Sequence, residues 1–87
     1  MAVKGMDVEA GRQSANQINQ GAGELEALTG RLTQSIQGFE WHGPDAERTR
    51  NQWSSEYVTM LRQVQTQLQE FSTLINQQAT DQESVSA

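Results

Sequence analysis

Chemistry needs nucleophiles, bases or ligands at spacings that let them meet, and this chain offers few. His42 is the single histidine and there is no cysteine. A zinc-type site takes three or four nitrogen, sulfur or carboxylate ligands at short spacings, so one imidazole makes no set. His42 reads as a turn residue; the sharper alternative is a pH-sensitive role, since histidine titrates near pH 6.5. Ser54 and Ser55 bring hydroxyls with no base at helical spacing. Glu24 with Glu26, and Asp81 with Glu83, are acids two apart, which do not face each other on a helix. Gly21-Ala22-Gly23 sits inside a helical repeat, not after a strand, so it is no phosphate loop. These positions predict solvated faces and a turn. The sequence predicts no enzyme, no cofactor and no metal site.

The chain around them is short and lean. It has 87 residues, 34% of them hydrophobic, enough for one small domain. Leu, Ile, Val and Phe number 16, about 18%, below the roughly 20% at which an independent core becomes doubtful. Without cysteine no disulfide can staple it, so association is the remaining support. Eleven acids against six bases give a net charge of −5. No basic stripe is present, which argues against nucleic acid as a partner. Beyond Arg62 there is no base, and Glu70, Asp81 and Glu83 leave the end acidic and unsuited to anionic lipid. No apolar run approaches the ~18 residues of a membrane span. Met1 to Met6 has Lys4 but no apolar stretch, so no cleavable signal peptide is expected.

Apolar spacing is helical on both sides of the single proline, Pro44. In the first half, two rows repeat every seven residues: Val8, Ala15, Ala22, Thr29, Ile36 and Gly11, Ile18, Leu25, Leu32, Phe39. That is a coiled-coil-like seam, and Leu28 widens it. Asp7 is placed to cap the start, with Glu9 in the first turn. The second half carries a broader stripe: Trp53, Tyr57, Met60, Leu61, Val64, Leu68, Phe71, Leu74 and Ile75. Pro44 suits the first helical position. The expected elements are helices at about 7–39 and 44–79, a turn at 40–43 and a flexible tail at 81–87. Gly11, Gly21, Gly23 and Gly30 each cost about 1 kcal/mol in a helix interior. Gly11 shares its seam with small side chains that let another backbone come close; Gly23 and Gly30 point outward with no packing reason.

Two helices of matched length joined by a short break make an antiparallel hairpin. A lone hairpin cannot cover a stripe as broad as the second one, whereas two hairpins can bury both around a common axis. The fold class expected is therefore all-α, a hairpin that dimerises into a four-helix bundle. The expected dimer interface is Ile18, Leu25, Leu32, Ile36 and Phe39 with Trp53, Tyr57, Met60, Val64, Leu68 and Phe71.

The break reads Glu40-Trp41-His42-Gly43-Pro44. A Trp-x-Gly at the centre of a short helical hairpin without cysteine resembles the WXG family. Those are the early-secreted-antigen-like substrates of the type VII (ESX) secretion system, a family associated with virulence. The likeness covers residues 1 to about 80. It implies Trp41 and Gly43 as the turn and secretion motif, dimers with themselves or with a second small WXG protein, and export in the folded state to the extracellular space. It also implies recognition by a membrane ATPase of the FtsK/SpoIIIE type, with Val85 in the acidic tail as a possible docking residue. One member of such pairs carries Tyr-x-x-x-Asp/Glu after its second helix. Here Tyr57 is followed at that spacing by Leu61, and Asp81 and Glu83 are preceded by Gln77 and Ala79. The resemblance therefore implies the Trp-x-Gly member of a heterodimer. Two other readings stand beside it: an escort for the helical N-terminal region of a larger exported toxin, and a membrane-active amphipathic hairpin, which the acidic faces disfavour.

Overall fold

The computed structural model describes residues 5–86. They form two antiparallel helical rods in a body of 67 × 16 × 16 Å, with no strand among the described residues. The first rod is α1 (Val8–Gly38). The second is α2 (Pro44–Gln52), a π turn over Trp53–Tyr57, and α3 (Val58–Ser86). The all-helical hairpin expected from the spacing is present, and α1 lies within one residue of its expected ends.

Local chemistry sets the ends. The Asp7 carboxylate accepts the Ala10 N–H at 3.1 Å, and Glu9 lies in the positive first turn. At the break, Gly43 has φ 109° and ψ 176°, a region open essentially to glycine alone. Pro44 then begins α2 with its fixed φ and no N–H to satisfy.

The π turn interrupts an otherwise continuous rod. The Val58 N–H donates to the carbonyl of Trp53, five residues back. Hydroxyls serve the carbonyls around it: Ser55 donates to Asn51 O at 2.7 Å and Thr59 to Ser55 O at 2.9 Å. Such back-bonding commonly accompanies bent or irregular helix.

Small side chains fill the contact between the rods. Among the described residues the buried ones are Ala15, Ala22, Ala46, Ala79 and Ser72, and no large side chain is fully buried. The Ser72 hydroxyl donates to the Ala15 carbonyl at 2.7 Å, directly across the seam. Of the two rows expected to form the seam, Val8, Ala15, Ala22, Thr29, Ile36 lies deepest; Gly11, Ile18 and Leu25 of the other are half-buried, and Leu32 and Phe39 are exposed. Gly23 and Gly30 face open space, so their outward placement holds and no packing contact offsets their cost.

One expectation is corrected. The second rod does not stop at 79; α3 runs through Ser86, so residues 81–86 of the segment expected as a flexible tail are helical, and Ala87 lies outside the described residues. Ala79 is buried in the seam. One turn later Arg12 reaches across to Glu83 at 3.1 and 3.3 Å and to the Thr80 hydroxyl at 3.5 Å. These contacts tie the last turns to the start of α1. The segment has no apolar stripe of its own; what orders it is a cation 71 residues away in the chain, Arg12 against Glu83.

Two outcomes follow for stability. Gly43→Ala should destabilise the hairpin by about 1–3 kcal/mol in urea unfolding, through backbone strain alone, because no atom lies near the added methyl. Gly30→Ala, in open helix, should stabilise it by up to ~1 kcal/mol. A third concerns pH. The hydrogen bond from Arg12, and then its charge, hold the Glu83 carboxyl below the usual carboxylate range. A lowered folded-state pKa means the contact stabilises above the unfolded value and is lost as pH falls through the folded one. Amide exchange at 80–86, corrected for intrinsic rates, should therefore speed up on acidification, and Glu83→Gln should remove that pH dependence.

Candidate interaction face

The hairpin has two unlike edges. Along one, Glu26, Thr29 and Thr33 of α1 face Ser54, Arg62 and Gln65 across a polar groove, bridged by the Gln65 amide donating to Glu26 at 2.8 Å. Helical phase puts Leu28 and Leu32 on the opposite side of α1, and Tyr57, Met60 and Val64 on the opposite side of the second rod. With Phe39, Phe71 and Leu74 these residues are 41–54% exposed. The second edge is therefore a long apolar strip made by both rods. Scattered exposed apolar residues are ordinary; this many along one edge make it the candidate interaction face.

The tip of the hairpin is held by one cation. α1 has no basic residue in its last turn, so the negative end of its dipole and its free carbonyls need a partner from elsewhere. Arg50 of α2 supplies it. Its guanidinium donates to Ile36 O at 2.9 Å, Phe39 O at 2.6 Å and Trp41 O at 2.9 Å. Phe39 and Trp41 stack at 5.7 Å with 12° between planes, and the guanidinium lies 5.3 and 5.8 Å from their centroids. Next to this cluster the Trp53 indole N–H donates to the Thr33 hydroxyl at 2.9 Å, and its ring stacks on Tyr57 at 6.0 Å.

The residues expected at an interface divide into two groups. Leu32, Phe39, Tyr57, Met60, Val64 and Phe71 are exposed on the apolar edge. Ile18, Leu25, Ile36, Trp53 and Leu68 are half-buried, engaged between the two rods. Trp41 is half-buried against Phe39 and Arg50, and Gly43 makes the reversal with its positive φ. Val85 is 82% exposed on the last turns of α3, well away from the tip. His42 is exposed in the turn and Ser55 is engaged with Asn51 O. Among the described residues no three His, Asp or Glu side chains are grouped to hold a metal ion. None of the described helices is long and apolar enough to cross a membrane.

Arg50 was missed. In the sequence it reads with Arg48 as a basic pair among acids. The available signals were its place in the inward row with Ala46 and Trp53, and the missing base at the end of α1. Arg50→Ala should lower stability by about 2 kcal/mol, less than three charged hydrogen bonds would give because water can reach the freed carbonyls. Arg50→Lys should recover only part, since a point ammonium cannot fork to three acceptors and stack on two rings. Urea unfolding of both variants, followed by tryptophan fluorescence, checks this.

No family model, curated protein or solved structure matches the chain.

Proposed function

We propose that this chain is one half of an exported helical dimer: a small substrate of a type VII (ESX) secretion system that pairs with a second WXG-type hairpin into a four-helix bundle. The observation that carries the pairing is surface. The chain exposes 6596 Å². A compact monomer of 9.7 kDa exposes about 5,100 Å². The surplus of about 1,500 Å² is comparable to the whole of a standard protein–protein interface, and the exposed apolar edge is the part of that surface with most to gain from cover. The Trp41-His42-Gly43 turn supports the family reading, with the tip cluster as the part that a secretion ATPase would meet alongside the partner's arm. The missing Tyr-x-x-x-acid pattern favours a heterodimer, in which the sister protein supplies that arm, and Val85 is the exposed large apolar residue nearest the end among the described residues.

Co-expression with the product of the adjacent gene should give a 1:1 complex of two small chains by size exclusion with light scattering. Phe71→Ser with Val64→Ser should weaken it at least tenfold, about 1.4 kcal/mol or more, while leaving helical content unchanged. A larger partner, such as the N-terminal region of a toxin, would turn the reading towards an escort. A cooperatively melting monomer at high concentration that ignores the sister chain would overturn it.

A further inference from the structure

Two opposite charges stand on the rim of the apolar edge and serve nothing inside the hairpin. Glu24 and Arg31 share one heptad position of α1, and with Gly21, Leu25, Ala27 and Leu28 they surround a hollow. Among the described residues neither takes part in an ion pair. Neither has a charged residue three or four positions away. They flank the Leu25, Leu28 and Leu32 ridge as e and g residues flank a coiled-coil seam.

The place of this pair matches the place of the apolar strip. Large exposed residues begin with Leu74 and Phe71, about level with Ala15, where Ser72 crosses to α1. They continue to Phe39 at the tip, and the open end beyond Ala15 adds only Val85. The middle of that stretch falls at Ala27. The middle of the Glu24 and Arg31 pair falls between Ala27 and Leu28.

We propose that two copies of this chain pair through this edge, antiparallel and displaced towards their tips, with Glu24 of each copy against Arg31 of the other. A two-fold axis beside Ala27 and Leu28 makes both contacts at once, as an isologous interface requires. The same axis lays Leu28 of one copy against Ala27 of the other, ridge into hollow. With α1 on its neighbour's second rod instead, Glu24 would meet Gln67 and find no base. The single base of α3, Arg62, lies on the polar groove. Exposed ion pairs add little affinity; here they select α1 against α1 in one direction and one register. Apolar area supplies the strength. A standard interface takes about 800 Å² from each partner, about half of one chain's surplus surface. This pairing requires neither the sister chain nor export, and a sister would compete for the same edge.

Sedimentation equilibrium of the full chain, of Glu24→Arg, of Arg31→Glu and of an equimolar mixture of the two variants tests this. Each variant alone sets like charges face to face twice and should self-associate at least fivefold more weakly than the parent. In the mixture every contact is complementary again, so pairing should return to within about threefold of the parent. Helical circular dichroism should stay the same throughout, since neither charge has a partner in its own hairpin. The register is read by a single introduced thiol in a chain that has no cysteine. Leu28→Cys should close a disulfide between copies and Ser14→Cys should not, because two Ser14 positions lie ~40 Å apart in this register. Full overlap centred on Gly23 would instead separate the two Leu28 positions by about 15 Å along the axis. A parent that stays monomeric at millimolar concentration overturns the proposal. So do variants that pair as tightly as the parent, or a mixture no tighter than its components. A disulfide at 14 and not at 28 overturns the register. Binding of the sister chain, measured separately, bears on the secretion reading alone.

Discussion

The buried centre of the contact between the two rods is made of side chains no larger than serine, and the rest of the molecule follows from how thin that centre is. Ala15 and Ala22 on one rod and Ser72 and Ala79 on the other let the backbones approach until a serine hydroxyl meets a main-chain carbonyl at 2.7 Å. Close approach gives good dispersion contact, but alanine removes little apolar area from water. The larger residues of the facing rows, such as Ile18, Leu25 and Leu68, reach only half burial. The next rows out lie beyond the contact altogether. A narrow seam and a wide exposed apolar edge are one fact seen from two sides.

A seam this weak does not by itself fix the reversal between the rods, and the tip shows what does. Gly43 permits the backbone path, but permission is not preference, since a flexible residue loses more entropy on ordering. The preference comes from Arg50. Its fork gathers carbonyls from the last turn of α1 and from the turn itself, and its plane meets Phe39 and Trp41. The tryptophan of the turn is thus placed by stacking and by a cation that belongs to the next helix. The same arginine fixes the rotation of α2, which the remainder of the rod must then accommodate through the π turn. Tip and seam are separate constraints, and the irregular turn between them is where they are reconciled.

Much of this was legible in residue spacing, and the parts that were not share a cause. The seven-residue rows of α1, the caps at Asp7 and Pro44 and the glycine reversal are local features, and each is where the spacing puts it. In the sequence the second stripe is one broad face, because Tyr57, Met60 and Val64 interleave with Leu61 and Leu68. Its breadth was the trace of two phases offset by one residue, and a periodicity count that tolerates steps of three and four cannot separate them. Arg50 and the Arg12–Glu83 pair depend on residues that meet only after the chain has reversed. The helical end of α3 belongs to the same class: Thr80 to Ser86 has no apolar stripe of its own, and its order comes from across the hairpin.

The glycines of α1 take on meaning beside the ridged surface of α3. Gly21, Gly23 and Gly30 have no atom near where a side chain would begin, so none is required by the packing inside the hairpin. Each still weakens the helix by about 1 kcal/mol relative to alanine. Gly21 opens a hollow beside Leu25 and Leu28, next to the exposed apolar edge, whereas Gly30 lies on the polar groove. Hollows on one rod and exposed aromatic and branched side chains on the other are the shapes from which helix-on-helix packing is built, ridge into groove. Within one copy they stand side by side and cannot fill each other. On the pairing proposed above, a second helical surface laid across both would fill the hollow and cover the exposed side chains together.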